Sequence, residues 1–255
     1  MNIFKIIIVY GLLMTLSQAT EIKSLSTAVD VAGKQRMFTQ RMLKDYAMIG
    51  IGNRFGNPKK DLVMIKNNFE NHLNALIKFN KETKTKKSLL KVKNLWKPIK
   101  IALIDSPKKE NAPEMQKKLE ELLKQANKVT QLFAKQTGKV SGEIINISGR
   151  QRMLSQRMAS LYMFKVWGID DIEFKTKMNQ ALALFKKSQE RLLVSKMNTP
   201  KIIKLLKKSK RSFMFFEMMN RSTSKFIPTL IYKKSNEILK DMNTVTGLYV
   251  IEDNK

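Results

Sequence analysis

The chain has 255 residues and a net charge of +28. It has no cysteine, which excludes disulfides and thiolate chemistry, and its single histidine excludes the usual His-rich metal sites and His-based triads. The lysines are scattered over the polar faces of the predicted helices, so the charge indicates solvated surfaces more than a surface that reads nucleic acid.

The first 19 residues predict an export signal. Lys5 lies in a short basic start, an apolar run covers residues 6–14, and Ser17-Gln18-Ala19 is typical of a cleavage site. The run is shorter than the roughly 20 residues that span a bilayer. We therefore expect cleavage after Ala19 and a periplasmic protein. The alternative is an uncleaved segment that anchors the chain to the inner membrane.

The rest of the chain predicts an all-α fold, because apolar residues recur at spacings of three and four. We expect three helices over about 24–49, 59–81 and 86–104, and a fourth that begins near 113 with Asn111 as its cap. A further helix then ends at about 167, and three more cover about 170–196, 199–219 and 228–250. Four antiparallel helices with short connections form an up-and-down bundle. The chain therefore predicts two tandem four-helix bundles, at 20–140 and 141–255.

One polar segment occurs twice. Residues 32–42 read AGKQRMFTQRM, and residues 148–158, 116 positions later (33 to 149), read SGRQRMLSQRM. Such self-similarity indicates a duplicated structural unit. Arginine is suited to bidentate binding of oxyanions. Five of the nine arginines lie in these two copies of the motif: Arg36, Arg41, Arg150, Arg152 and Arg157.

The connection between the bundles has two interpretations. An apolar seam of period 3.5 runs from the fourth helix into the fifth, which favours one long helix shared by bundles stacked end to end. Three glycines argue against a continuous helix, because each destabilises a helix interior by about 1 kcal/mol relative to alanine: Gly138, Gly142 and Gly149. If the chain bends at 138–142 instead, the bundles pack side by side and the motifs face each other as in a dimer. We favour the continuous helix.

The motif presents two faces of one helix. Gln35 and Thr39 face the bundle core, whereas Gly33, Arg36 and the residues near them face away. A glycine permits close approach, and two neighbouring guanidinium groups would repel unless an anion lay between them. The candidate ligand-binding residues are therefore Gly33, Arg36, Gln40, Arg41, Gly149, Arg152, Gln156 and Arg157.

A purely structural interpretation stays open beside this one. Gln35 and Thr39, with Gln151 and Ser155, would form a polar layer that fixes helix register, and the arginines would pair with Asp or Glu of other helices. Met37 and Met153 are packing residues in either case.

The motif closely resembles the signature of the N-terminal sensor domain of type IV pilus methyl-accepting chemotaxis transducers, the PilJ family, in two copies. It is similar, more distantly, to the periplasmic domain of NarX-type nitrate/nitrite sensors. The resemblance implies periplasmic four-helix bundles that sense a ligand, and it assigns the anion-binding arginine to Arg36 and Arg152 and its glycine to Gly33 and Gly149. The residues after Met37 and Met153 differ from the nitrate sensors.

Together these features predict a sensor-type protein that binds a small, nitrate-like anion. Sensors of this kind carry transmembrane helices and a cytoplasmic region, which we do not find here, so we expect a membrane receptor or a pilus-associated protein as partner. The alternatives are an interaction module whose motif docks a partner helix or a second copy in a homodimer, and lysine-driven binding of DNA or anionic lipid. We expect no cofactor, metal, nucleic-acid partner or catalytic residue, because no nucleophile and base, ligand cluster or phosphate loop is found.

Overall fold

The structure, a computed structural model, describes residues 21–169, 173–221 and 227–255. The described residues form eight α-helices and no strand, which confirms the all-α prediction. None of these helices has the length and apolar character needed to cross a bilayer. The predicted export signal, residues 1–19, lies outside the described residues. The helices are α1 (Leu25–Gly50), α2 (Pro58–Phe79), α3 (Thr83–Ala102), α4 (Ala112–Gln136), α5 (Val140–Val166), α6 (Phe174–Leu193), α7 (Pro200–Arg221) and α8 (Pro228–Asp253).

Local signals account for several helix starts. Ser24 caps α1 by accepting a hydrogen bond from the backbone N–H of Thr27 at 3.2 Å. Asn57 caps α2, whose first residue is Pro58, and Glu82 caps α3. Asn111, predicted to cap α4, makes no side-chain cap hydrogen bond. The observed bounds otherwise lie within a few residues of those predicted.

Helices α1–α4 (the first half) and α5–α8 (the second half) pack in the same pattern. The first helix of each half contacts the second and fourth, and the third contacts the second and fourth. Aromatic pairs lie in both cores: Phe69 is 4.5 Å from Trp96 between ring centroids, and Phe185 is 4.2 Å from Phe213. Phe69 and Phe185 are equivalent positions, so the halves share their core layout.

The most extensive contact between two helices joins α1 to α5. The two helices run in the same direction, because Gly33 lies beside Gly149 near their starts and the rings of Tyr46 and Trp167 lie 5.9 Å apart near their ends. Most residues of both helices are buried, including many polar ones. Helices α1 and α5 are therefore central, and the two motifs face each other across an approximate two-fold axis.

The prediction of one continuous helix across the junction is wrong. Helix α4 ends at Gln136 and α5 begins at Val140, and between them Gly138 has φ +63°. Glycine adopts this left-handed conformation at little cost, so the chain reverses direction here. The side-chain oxygen of Thr137 accepts a hydrogen bond from the backbone N–H of Lys139 at 3.3 Å and so stabilises the turn. The halves consequently pack side by side, as the alternative predicted.

Candidate functional site

Arg36 lies at the centre of the α1–α5 interface and is fully buried. Its Nη1 donates to Oδ1 of Asn127 on α4 at 2.8 Å, and its Nη2 donates to the carbonyl of Asn146 on α5 at 3.1 Å. Burial, and then the neighbouring Arg150 and Arg152, lower the pKa of Arg36 well below its ordinary value. No carboxylate among the described residues forms an ion pair with Arg36, so this buried group lacks a direct counter-ion.

Arg152, at the equivalent position of α5, is also fully buried but has a counter-ion. Its Nη1 lies 2.7 Å from Oδ1 of Asp30 on α1 and donates to Asn243 at 3.2 Å. The other oxygen of Asp30 pairs with Lys34 at 2.8 Å. Burial alone would raise the pKa of Asp30, but Arg152 and Lys34 outweigh it and hold that pKa below its ordinary value. Asp30 is therefore an ionised, buried carboxylate.

The motif glycines let the two helices approach closely at the arginines. A Cβ on Gly149 would lie 2.9 Å from Nη2 of Arg152, and a Cβ on Gly33 would lie 3.1 Å from that atom and 3.9 Å from Cα of Gly149. Nη2 of Arg36 is 3.5 Å from both positions. The two guanidinium groups are thus neighbours that fill the space beside the glycines.

The second arginine of each motif is placed differently in the two halves. Arg41 pairs with Asp61 on α2 of its own half, with Nε–Oδ2 at 2.9 Å and Nη2–Oδ1 at 2.5 Å. Arg157 instead crosses the interface to α4, where its Nη1 contacts both carboxylate oxygens of Glu120 at 2.8 and 2.9 Å. Of the two, only Arg157 joins the halves.

The second glutamine of each motif copy, Gln40 and Gln156, is fully buried farther along this interface. Gln40 donates to Glu120 at 3.0 Å, and Gln156 accepts a hydrogen bond from Nζ of Lys44 at 2.8 Å. Lys44 is itself fully buried, and burial, opposed by Asp45, lowers the pKa of Lys44 to about 8. The repeat comparison missed this lysine because a serine stands at the equivalent position of the second half.

The inner face of the motif fits the register-fixing interpretation. Gln35 donates to the backbone carbonyl of Phe69 at 3.0 Å, and Gln151 donates to that of Phe185 at 3.0 Å. Each glutamine therefore ties the first helix of its half to the second. The neighbouring hydroxyl groups of Thr39 and Ser155 donate to carbonyls of their own helices, at Arg36 and Arg152, and Ser155 also accepts from Nε2 of Gln156 at 3.3 Å.

Seven of the eight predicted site residues thus lie at or beside the interface, and Arg41 turns away to α2. An open groove of about 1150 Å³ at the end of the first half, floored by Phe79 and Phe133, is lined by none of them. Within the described ranges, no group of three or more acidic or histidine side chains is placed to hold a metal ion.

Residues 134–202 match the PilJ family, described as the N-terminal part of type IV pili methyl-accepting chemotaxis transducers. The match covers α5, α6 and the second copy of the motif, which is 69 of the 255 residues. It relates this region to the sensor and interaction domains of chemotaxis transducers. No curated protein and no solved structure matches the chain.

Proposed function

We propose that the whole chain is an exported sensor-type module that contains two tandem PilJ-like copies and acts in the periplasm with a membrane chemoreceptor or a pilus-associated protein. The family match covers the second motif, and residues 32–42 repeat that motif in the first half. The common packing pattern of α1–α4 and α5–α8 supports the extension to the first half.

The observation that carries this proposal is the contact between the two motifs. Arg36 and Arg152 are buried, and each donates hydrogen bonds to a backbone carbonyl of the opposite helix, at Asn146 and Asp30. The geometry favours the alternative in which the motif docks a partner helix, and here that helix belongs to the same chain. The second half takes the place that a second protomer would have in a homodimer.

The interface is also where the halves are mechanically coupled. Buried charged groups tolerate few arrangements, because each displaced guanidinium would lose hydrogen bonds that water does not replace. A shift of α1 against α5 would therefore change several contacts together. We propose that the partner protein responds to the relative position of the two halves.

The test is genetic complementation in the source bacterium. Deletion of the gene is expected to impair pilus-dependent surface movement or directed migration, and the wild-type gene is expected to restore it. Arg152→Glu, which places two carboxylates together at the interface, is expected not to restore it. Lys240→Glu, on the exposed face of α8, makes the matched charge change away from the interface and is expected to complement. A deletion without effect on either behaviour would contradict the proposal.

A second candidate function, binding of a small nitrate-like oxyanion, is favoured by one observation: Arg36 is buried and pairs with no carboxylate of residues 21–169, 173–221 and 227–255. Isothermal titration with nitrate, nitrite and formate is expected to give one anion per chain for the wild type and no heat for Arg36→Ala. Arg41→Ala, which removes an arginine outside the interface, is expected to bind as the wild type does. Absence of heat with all three anions would remove this candidate.

A further inference from the structure

Positions 30 and 146 are equivalent in the two halves, at the same offset of 116 (33 to 149), but they differ in charge. The first is an aspartate and the second is an asparagine. Each residue lies on one central helix, and its backbone carbonyl accepts a hydrogen bond from the motif arginine of the other. Residue 30 therefore lies beside Arg152 in the same way that residue 146 lies beside Arg36.

At the Arg152 position the side chain completes the contact. The carboxylate of Asp30 accepts from Nη1 of Arg152 at 2.7 Å, and only 12% of the side chain is exposed. Its second oxygen is held by Lys34 at 2.8 Å. A carboxylate with two cationic donors on its two oxygens is a well-satisfied buried anion.

At the Arg36 position the matching contact is missing. Asn146 is buried, and its Oδ1 has no hydrogen-bond partner within the part of the chain that the structure describes. The equivalent of Lys34 at the same offset is Arg150, whose pKa is lowered by burial against the opposing effect of Glu143. Among the side chains that the structure describes, Arg36 therefore donates only to the neutral amide oxygen of Asn127.

The part of the interface around Arg36 and Arg152 consequently carries more positive than negative charge. Lys34, Arg36, Arg150 and Arg152 lie there, and Asp30 is the carboxylate that pairs with Arg152 and Lys34. Another carboxylate that joins the halves, Glu120, pairs with Arg157 farther along the helices. Buried cations without counter-ions are costly, and a single anion lowers the free energy of all the cations near it. Such an interface responds strongly to the number of negative charges it holds.

We infer that Asp30 is a built-in anion: its carboxylate occupies, for Arg152, the place that a small carboxylate-like anion would take, and Asn146 leaves the matching place beside Arg36 without one. The interface therefore takes one exogenous anion, not two. The chemical class is a small monovalent planar oxyanion such as formate or nitrate. The second part of this inference rests on the proposed anion-binding function, whereas the role of Asp30 does not.

Chemical rescue tests the role of Asp30 on the purified full chain. Asp30→Ala removes a buried ion pair and leaves room for a small anion, and we expect the midpoint of thermal unfolding to fall by roughly 10 °C. Sodium formate or sodium nitrate at 0.1–0.3 M is expected to recover at least half of that loss, roughly 5 °C. The wild type in the same salts corrects for general salt effects. No extra recovery in the variant would overturn the inference.

Asp241→Ala is the matched control. Asp241 is also buried and pairs with a lysine, Lys208, at 2.9 Å, but this pair joins α8 to α7 and does not include a motif arginine. Its loss is expected to lower stability without rescue by formate beyond the wild-type response. Equal rescue of both alanine variants would show an unspecific effect of the salt and would also overturn the inference.

A charge swap keeps the inference testable if Asp30→Ala does not fold. Asp30→Asn combined with Asn146→Asp conserves net charge and moves the carboxylate from Arg152 to Arg36. The approximate two-fold axis predicts that the double variant is more stable than Asp30→Asn alone by at least 5 °C, on the order of one buried pair regained. A double variant no more stable than the single one would refute the equivalence.

These outcomes separate the inference from the proposed function. A gene deletion without effect, or a wild-type chain that binds none of the three anions, would remove the corresponding proposed function and leave the rescue of Asp30→Ala unaffected. Failure of rescue would remove the built-in anion and leave the partner function standing. Asn146→Asp gives a further check, since it is expected to abolish anion binding to the otherwise wild-type chain by supplying the missing carboxylate.

Discussion

His72 offers a direct measurement of the electrostatics at the motif interface. It is the only histidine in the chain, and its ring on α2 lies 5.3 Å from the ring of Phe38 on α1. Burial, and then Lys34 and Arg152, lower the pKa of His72 from 6.5 to about 4, against the opposing effect of Asp30. We therefore expect His72 to stay neutral in the folded protein at every pH above about 5.

The magnitude follows from the difference between the folded and unfolded pKa values. Each unit is worth about 1.4 kcal/mol, so a fall from 6.5 to about 4 corresponds to about 3 kcal/mol. Because the folded-state pKa is lowered, the unfolded chain binds a proton between pH 6.5 and 4 that the folded chain does not. The free energy of unfolding is therefore highest above pH 6.5 and falls as the pH drops towards 4.

Urea unfolding of the wild type and of His72→Gln at pH 7.5 and 4.5 measures this contribution. The carboxylates titrate in both proteins, so the difference between them isolates the histidine. We expect the wild type to lose about 2 kcal/mol more than the variant. The single ring signal in an NMR titration gives the pKa itself. A midpoint near 6.5, with equal losses of stability in the two proteins, would refute the reasoning.

Three further predictions concern packing and processing. Gly50→Ala is expected to lower the free energy of unfolding by about 1–3 kcal/mol, because its Cβ would lie 2.1 Å from the ring of Trp167. Gly247→Ala lies in the interior of α8, and no neighbouring atom of the described residues comes within 4 Å of the added Cβ, so this substitution is expected to raise the free energy of unfolding by about 1 kcal/mol. Urea unfolding checks both, and a loss of stability at Gly247 would contradict the second. Amino-terminal sequencing of the protein from the source cells is expected to begin at Thr20; a chain that starts at Met1 would contradict cleavage.

Helix content and helix bounds were predictable because they depend on local spacing. Apolar periodicity locates the helices, and residues such as Ser24 and Pro58 mark their starts. The junction was not predictable in the same way. Helices α4 and α5 each bury an apolar seam of the same period. The positive φ of Gly138 interrupts the helix between them without changing that period, so the sequence pattern does not show the break.

The site was only half predictable, for a related reason. Comparing the two copies reveals what they share, and Arg36 and Arg152 are indeed buried together. The groups that decide their charge balance are those that differ. The equivalent of Asp30 in the second half is an asparagine, Asn146. The equivalent of Glu120, which binds Arg157, is also an asparagine, Asn236. A search for shared residues passes over such positions, and only contacts between helices identify them.

The connection at residues 137–139 has a consequence for how this interface can vary. In a symmetric homodimer every residue stands on both sides, so one aspartate per subunit would place two negative charges at the contact. Covalent linkage removes that constraint, and a substitution in one half leaves the other unaltered. It also keeps the halves at a high effective concentration, so their association does not weaken on dilution.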